Sequence, residues 1–183
     1  MDRILKLLLD DHLRMRRIFD LFERELAAFG KGRPADYDVL AGALDLLSEY
    51  LGAVHHPLED RMLERLRRRD AAAAGKAADL DQRHRELEDL TLEVSQIFAA
   101  VRDDTIAPRK PLCERGRNLL QAYREHMDWE ESELFPAVGK IFTADDWEAI
   151  SIAAGAGVDP LRERPAKRRF AALMHRLDAD TLG

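Results

Sequence analysis

The sequence predicts an all-α fold: an antiparallel, up-down four-helix bundle followed by a C-terminal helical appendage. Three observations carry that expectation. Ala, Leu, Arg and Glu dominate a chain with few strand formers, a composition suited to long helices. Four consecutive segments repeat apolar residues at steps of three and four, the spacing that lines one face of a helix. Gly, Pro and Asp signals separate those segments where such helices end or begin.

The first helix reads as roughly residues 2–29, with Leu5, Leu8, Met15, Phe19, Phe22, Leu26 and Phe29 in its stripe. The steps stay regular only if His12 is counted between Leu8 and Met15. Gly30-Lys31-Gly32-Arg33-Pro34 then breaks the helix. A second helix starts near Asp36, and its stripe is Leu44, Leu47, Leu51, His55, Leu58, Met62 and Leu66. Pro57 lies inside it and predicts a kink beside His55.

Asp70 reads as the N-cap of a third helix. Ala77, Leu80, His84, Leu87, Thr91, Val94, Phe98 and Val101 form its stripe. A turn follows over Asp103 to Pro108. The fourth helix carries Leu112, Gly116, Leu119, Tyr123, His126, Glu130, Leu134, Ala137 and Ile141, and Pro136 predicts a bend in its last turns. Thr143 caps a short helix, with Asp146 as the acidic member of a capping box. Asp159-Pro160 opens a final helix with Phe170, Leu173, Met174 and Leu177 on its apolar face. The expected division is a bundle over 1–142 and, over 143–183, helices packed on it or on a second subunit.

With 29 basic and 35 acidic residues and a net charge of −6, the chain lacks the basic excess of a nucleic-acid binder. The run Arg67-Arg68-Arg69 suits a helix C-terminus. A single cysteine, Cys113, excludes a disulfide framework or a thiolate metal cluster within one chain. No signal peptide and no apolar run of membrane-spanning length can be read, so a cytoplasmic protein with no membrane partner is expected.

Each of the four helices places one histidine in its apolar stripe: His12, His55, His84 and His126. Glu59 and Glu130 follow two of them by four residues and share their helix faces. In an up-down bundle, residues equidistant from a connecting turn lie at one height. The midpoints of 12/55, 55/84 and 84/126 fall on the Gly/Pro turn, the Asp70 step and Thr105, so the histidines are expected to form one layer. Buried imidazoles and carboxylates are costly unless each lone pair finds a partner, and metal ions supply that. Imidazole and carboxylate without thiolate suit Fe, Mn, Zn or Cu, and carboxylates bridging in a bundle core favour two iron or two manganese ions. Positions remain for an oxo or hydroxo bridge and an exogenous ligand.

These stretches resemble the hemerythrin-like, or His-His-Glu cation-binding, family. The matching pieces are Asp11-His12, His55-His56-Pro57-Leu58-Glu59-Asp60, Arg83-His84 and His126-Met127-Asp128-Trp129-Glu130-Glu131, over residues ~5–140. The resemblance implies a non-haem di-iron centre that binds or reacts with O2, NO or peroxide, or that senses or donates iron. Two features depart from the oxygen carriers of the family: Glu88 stands where they have a second third-helix histidine, and Glu130 and Glu131 stand around their aspartate position. The four-His, two-Glu pattern is closer to iron–sulfur repair proteins and iron-sensing domains.

The expected metal ligands are therefore His12, His55, Glu59, His84, His126 and Glu130. His56 is an alternative to His55, although it lies ~100° off the seam. Glu88 and Glu131 are solvated or outer partners, with direct metal ligation as the alternative, and Tyr123 either borders an open coordination position or is a core aromatic. Trp129 and Trp147 read as packing residues and His175 as exposed. Three functions stay open: a di-iron protein that binds or senses small ligands or iron, a di-iron enzyme that reduces NO, peroxide or O2 or repairs iron centres, and a metal-free interaction module. Two iron ions are the expected cofactor, with Mn or Zn as alternatives. A small diatomic or peroxide ligand is the expected partner, with a homodimer left open.

Overall fold

The computed structural model describes residues 2–75, 77–102, 109–153, 168, 171–173 and 175. Every regular element among them is helical, as the composition and the apolar stripes predict. Helix α1 spans Arg3–Gly30, capped by Asp2, whose side chain accepts the Ile4 amide at 2.7 Å. It ends where the chain turns left-handed at Gly32, with φ +69°. The Gly32 amide reaches the Phe29 carbonyl at 3.0 Å and the Arg33 amide reaches that of Ala28 at 3.0 Å. This is the Schellman pattern, and glycine fits it because it lacks a Cβ.

Asp36 caps α2, Tyr37–Leu46, accepting the amides of Asp38 and Val39 at 3.0 and 3.1 Å. A π-helical segment, Leu47–His55, continues the rod into α3, His56–Arg69. Asp70 then caps only a short helix α4, Ala71–Gly75. The third long helix, α5, begins later than its stripe predicts and spans Leu80–Arg102. Ala77 is buried as expected, but in a turn. Gly75 explains the break, since glycine carries the largest entropic cost of ordinary residues in a helix. The expected turn at 103–108 lies outside the described residues.

The last rod runs through α6, Arg109–Trp129, a π segment Glu130–Leu134, and α7, Phe135–Ile141. Helix α8, Ala144–Ala153, follows. Its start is a capping box: Asp146 accepts the Thr143 amide at 2.9 Å and the Thr143 hydroxyl at 2.8 Å. Asp146 is fully buried and also takes the guanidinium groups of Arg65 and Arg69, which ties α8 to α3. The expected helix opening at Asp159-Pro160 and its Phe170, Met174 and Leu177 lie outside the described residues. Leu173 is buried beside Gly42, and His175 is exposed.

Helix α1 packs on α2 and α6, and α5 packs on the same two. The core is in two apolar clusters. One gathers Met15–Phe29, the α2 stripe, Leu87, Val94, Phe98 and the inward face of α6. The other gathers Ile4, Leu5, Leu8, Leu58–Leu66, Leu80, Leu134–Val138 and Ile150. Along the first and third rods the chain leaves the second cluster and enters the first. Along the other two it runs the opposite way. Each of the four histidines stands at or beside the crossing point. A polar layer thus separates two hydrophobic blocks.

Candidate metal centre

The two His-x-x-x-Glu motifs sit on irregular helix. One π segment ends at His55 and the other starts at Glu130. A π turn holds an extra residue, and such turns recur at functional sites. Each is followed by proline in the first turn of the next α-helix, Pro57 in α3 and Pro136 in α7. The sequence predicts kinks there, and beside both prolines the winding changes from π to α. The winding also changes which side chains face inward. His55 and His56 are consecutive, yet both are buried at 2% exposure.

The structure brings the expected ligands together. His12, His55, Glu59 and Glu130 place one donor atom each within 4.8 Å of one another, and so do Glu59, His84, His126 and Glu130. The two glutamates belong to both groups. Glu59 turns Oε1 to His55 Nε2 at 3.1 Å and Oε2 to His84 Nε2 at 3.6 Å. Glu130 turns Oε2 to His12 Nε2 at 3.4 Å and Oε1 to His126 Nε2 at 3.1 Å. Each carboxylate thus offers one oxygen to either side of the layer.

These residues fit a pair of cations. Two ligand atoms at right angles on one ion, with bonds of about 2.1 Å, stand about 3.0 Å apart. The imidazole–carboxylate separations of 3.1–3.6 Å are near that value. Both oxygens of Glu59, both of Glu130, His84 Nε2 and both ring nitrogens of His126 are buried and accept or donate no hydrogen bond. Leaving such groups unpaired costs several kcal/mol, which coordination would offset.

The outer ring nitrogens of His12, His84 and His55 face carboxylates on neighbouring rods. Glu131 faces His12 Nδ1 at 2.8 Å and accepts from Arg16 at 2.8 Å. Asp60 faces His84 Nδ1 at 2.9 Å. Asp11, buried, lies 3.6 Å from His55 Nδ1 and accepts from the Tyr50 hydroxyl. Such partners fix the tautomer of a ligating histidine and aim its other nitrogen. Of these, the sequence singles out only Glu131. Asp11 and Asp60 are each adjacent to an expected ligand, and their pairings cross between helices or between turns, where no spacing rule reaches.

The other residues of interest divide. His56 joins a third group with His84 and His126. Glu88 is half-exposed, its Oε1 3.8 Å from His56 Nδ1. Tyr123 is buried with its hydroxyl 2.9 Å from that of Thr91. Thr91 donates to the Leu87 carbonyl, so Tyr123 donates to Thr91. Trp129 and Trp147 pack against the second apolar cluster.

The electrostatics follow from burial and mutual proximity. Burial lowers the pKa of His84, but Asp60, Glu130 and Glu59 outweigh it and raise it to about 9. His12 and His55 are likewise raised: burial opposes their charge, Glu130 and Glu131 favour it at His12, and Glu59 and Asp11 favour it at His55. Burial also opposes ionisation of Glu130, yet His126, His12 and His84 hold its pKa well below the ordinary value. His56 goes the other way. Burial and the neighbouring charges of His84, His55 and His126 keep it neutral.

Neither the comparison with curated proteins nor that with solved structures returns a match. No helix among the described residues is long and apolar enough to cross a membrane. The family model for the hemerythrin HHE cation-binding domain matches residues 3–138, which covers well over half of the chain and both His-x-x-x-Glu motifs. With four rods, a buried His/Glu layer and that match, the chain belongs to the hemerythrin HHE cation-binding domain family.

Proposed function

We propose that this chain is a non-haem di-iron protein that binds or senses O2, NO, peroxide or iron. The reading takes the rods as an antiparallel up-down four-helix bundle over 1–142 with a helical appendage over 143–183. His12 and His55 would hold one ion and His84 and His126 the other, with Glu59 and Glu130 offering an oxygen to each. Iron bound there would supply redox chemistry toward a small ligand. The protein's own groups bind, orient and seal: outer carboxylates aim the imidazoles, and the apolar clusters keep bulk water from the layer.

The observation that carries this reading is the division of each buried carboxylate between two pairs of histidines. Mn or Zn would accept the same donors, and iron is favoured on the family resemblance. A cleft of about 280 Å³ between α5 and α6 has His126 in its wall, together with Arg83, Glu86, Leu87, Leu90, Ala122 and Glu125.

The test is the optical spectrum and iron content of tag-free protein loaded with iron, with and without O2 and NO. The account expects about two irons per chain and a spectrum that changes with added ligand. Steady-state consumption of NO, peroxide or O2 with an electron donor would make it an enzyme; stoichiometric binding alone makes it a binder or sensor. A chain that stays essentially metal-free after loading contradicts both and leaves a helical interaction module.

A further inference from the structure

Counted by the expected ligands alone, each side of the layer has two imidazoles and a share of both glutamates. In the family's oxygen carriers one ion draws a second histidine from the third helix, and this chain has Glu88 there. The structure offers a replacement from a different helix. His56, at the start of α3, is 2% exposed and brings a ring nitrogen within 4.8 Å of those of His84 and His126.

We propose that His56 is a third imidazole ligand for the ion shared by His84 and His126, and that Glu88 has become its outer carboxylate. The inference rests on the di-iron reading above. Three arguments support it. The first is geometric. Each of His56, His84 and His126 brings a ring nitrogen within 4.8 Å of the other two. His126 stands edge-on to both other rings, while the His56 ring is stacked on that of His84 with centres 4.0 Å apart, so one ring of that pair must turn for both to address a common ion.

The second is the cost of leaving His56 idle. It is buried among three other imidazoles; its Nδ1 makes no hydrogen bond and stands 3.8 Å from Glu88, which leaves Nε2 as the nitrogen for an ion. A core position filled only for packing would be better served by leucine, because a buried imidazole without partners costs free energy. The third is the exchange of roles. His12 and His84 each face a carboxylate across Nδ1, and Glu88 takes that place beside His56 at 3.8 Å. Gly52 leaves the room: a Cβ there would stand 3.3 Å from Glu88 Oε1. The π segment that ends at His55 is what allows two consecutive residues to face inward. Helix α3 thus supplies the histidine and α5 the carboxylate, which puts five histidines and two glutamates in the layer.

The test loads apo-protein anaerobically with iron(II), counts ions per chain, and repeats the titration with cobalt(II), read by its visible bands. His56→Leu keeps the volume and removes the nitrogen. Its bound metal should fall from about two ions per chain to about one, and imidazole added to His56→Ala should restore the second. Glu88→Gln should weaken the second ion by about tenfold, the low end for loss of an outer partner. Two ions bound by His56→Leu with unchanged affinity and cobalt spectrum would overturn the proposal. Should the variants fail to fold, proton NMR of the cobalt-loaded native chain decides it. An exchangeable, metal-shifted ring N–H is expected from His56 as well as from the other four histidines, and its absence overturns the assignment. A native chain that binds neither metal refutes the di-iron reading itself, a distinct result.

Discussion

The two sides of the polar layer are built differently. On the first, His12 and His55 face each other, Nε2 to Nε2 at 3.1 Å, and both are backed by acidic groups. His12 shares Glu131 with Arg16, and Asp11 lies between His55 and Tyr50. On the other, His84 has Asp60, His126 Nδ1 makes no hydrogen bond, as His55 Nδ1 makes none to Asp11 at 3.6 Å, and a third imidazole is stacked 4.0 Å from His84. One side is braced from outside by carboxylates; the other is crowded from within by rings. The lesson is that a shared pair of glutamates can join two unlike half-sites, each with its own means of orienting nitrogen. Substitutions should therefore affect the halves separately except at the glutamates.

The largest effect is expected from Glu130→Ala. It removes an oxygen from each half, so both ions should be lost, whereas His12→Ala should empty only the first half. Metal counted per chain in the two variants checks this, and equal losses would break the comparison. Next is pH. Without metal, His84 keeps its proton up to about pH 9, and His12 and His55 are raised in the same direction. Ions must displace those protons, so affinity should rise with pH through neutrality, and uptake in weak buffer should release acid. The ion-free fold has the opposite dependence. A raised histidine pKa stabilises the fold fully below the unfolded value of 6.5, and that stabilisation is lost as pH rises through about 9 at His84. Thermal melts of ion-free protein across that window check the sign.

Smaller effects should separate the halves further. Asp60→Asn removes the outer partner of His84 and should weaken metal binding by about 10- to 100-fold. Glu131→Gln should cost less, since Glu131 is about a third exposed and an amide still accepts from Arg16. Competition titrations with a chelator rank the two. The smallest effect on the metal belongs to Asp146→Ala, remote from the layer. Loss of the capping box should lower stability by about 1 kcal/mol and leave the ion count unchanged. A calorimetric melt beside a metal assay reads both.

The helical class was legible because every rod repeats its apolar residues at helical spacing, and because Gly32 and Asp36 mark a turn by their own chemistry. The stripe positions of His12 and His84 were legible for the same reason: both lie on regular α-helix. At His56 that regularity fails. A helical wheel turns it ~100° away from His55, but the π segment that precedes it changes the register. Asp60 and Asp11 were not singled out as partners because their histidines lie elsewhere along the chain, and sequence spacing is silent about contacts between rods. The late start of α5 at Leu80 escaped the stripe because Ala77 keeps a buried position in a turn.

The central claim is that Glu59 and Glu130 each serve two ions at once. Anomalous X-ray scattering at the iron edge from crystals of iron-loaded protein tests it directly. The account predicts two peaks about 3.5 Å apart, one toward His12 and His55 and one toward His84 and His126, with both glutamates between them. A single peak, or peaks that touch neither glutamate, would contradict it.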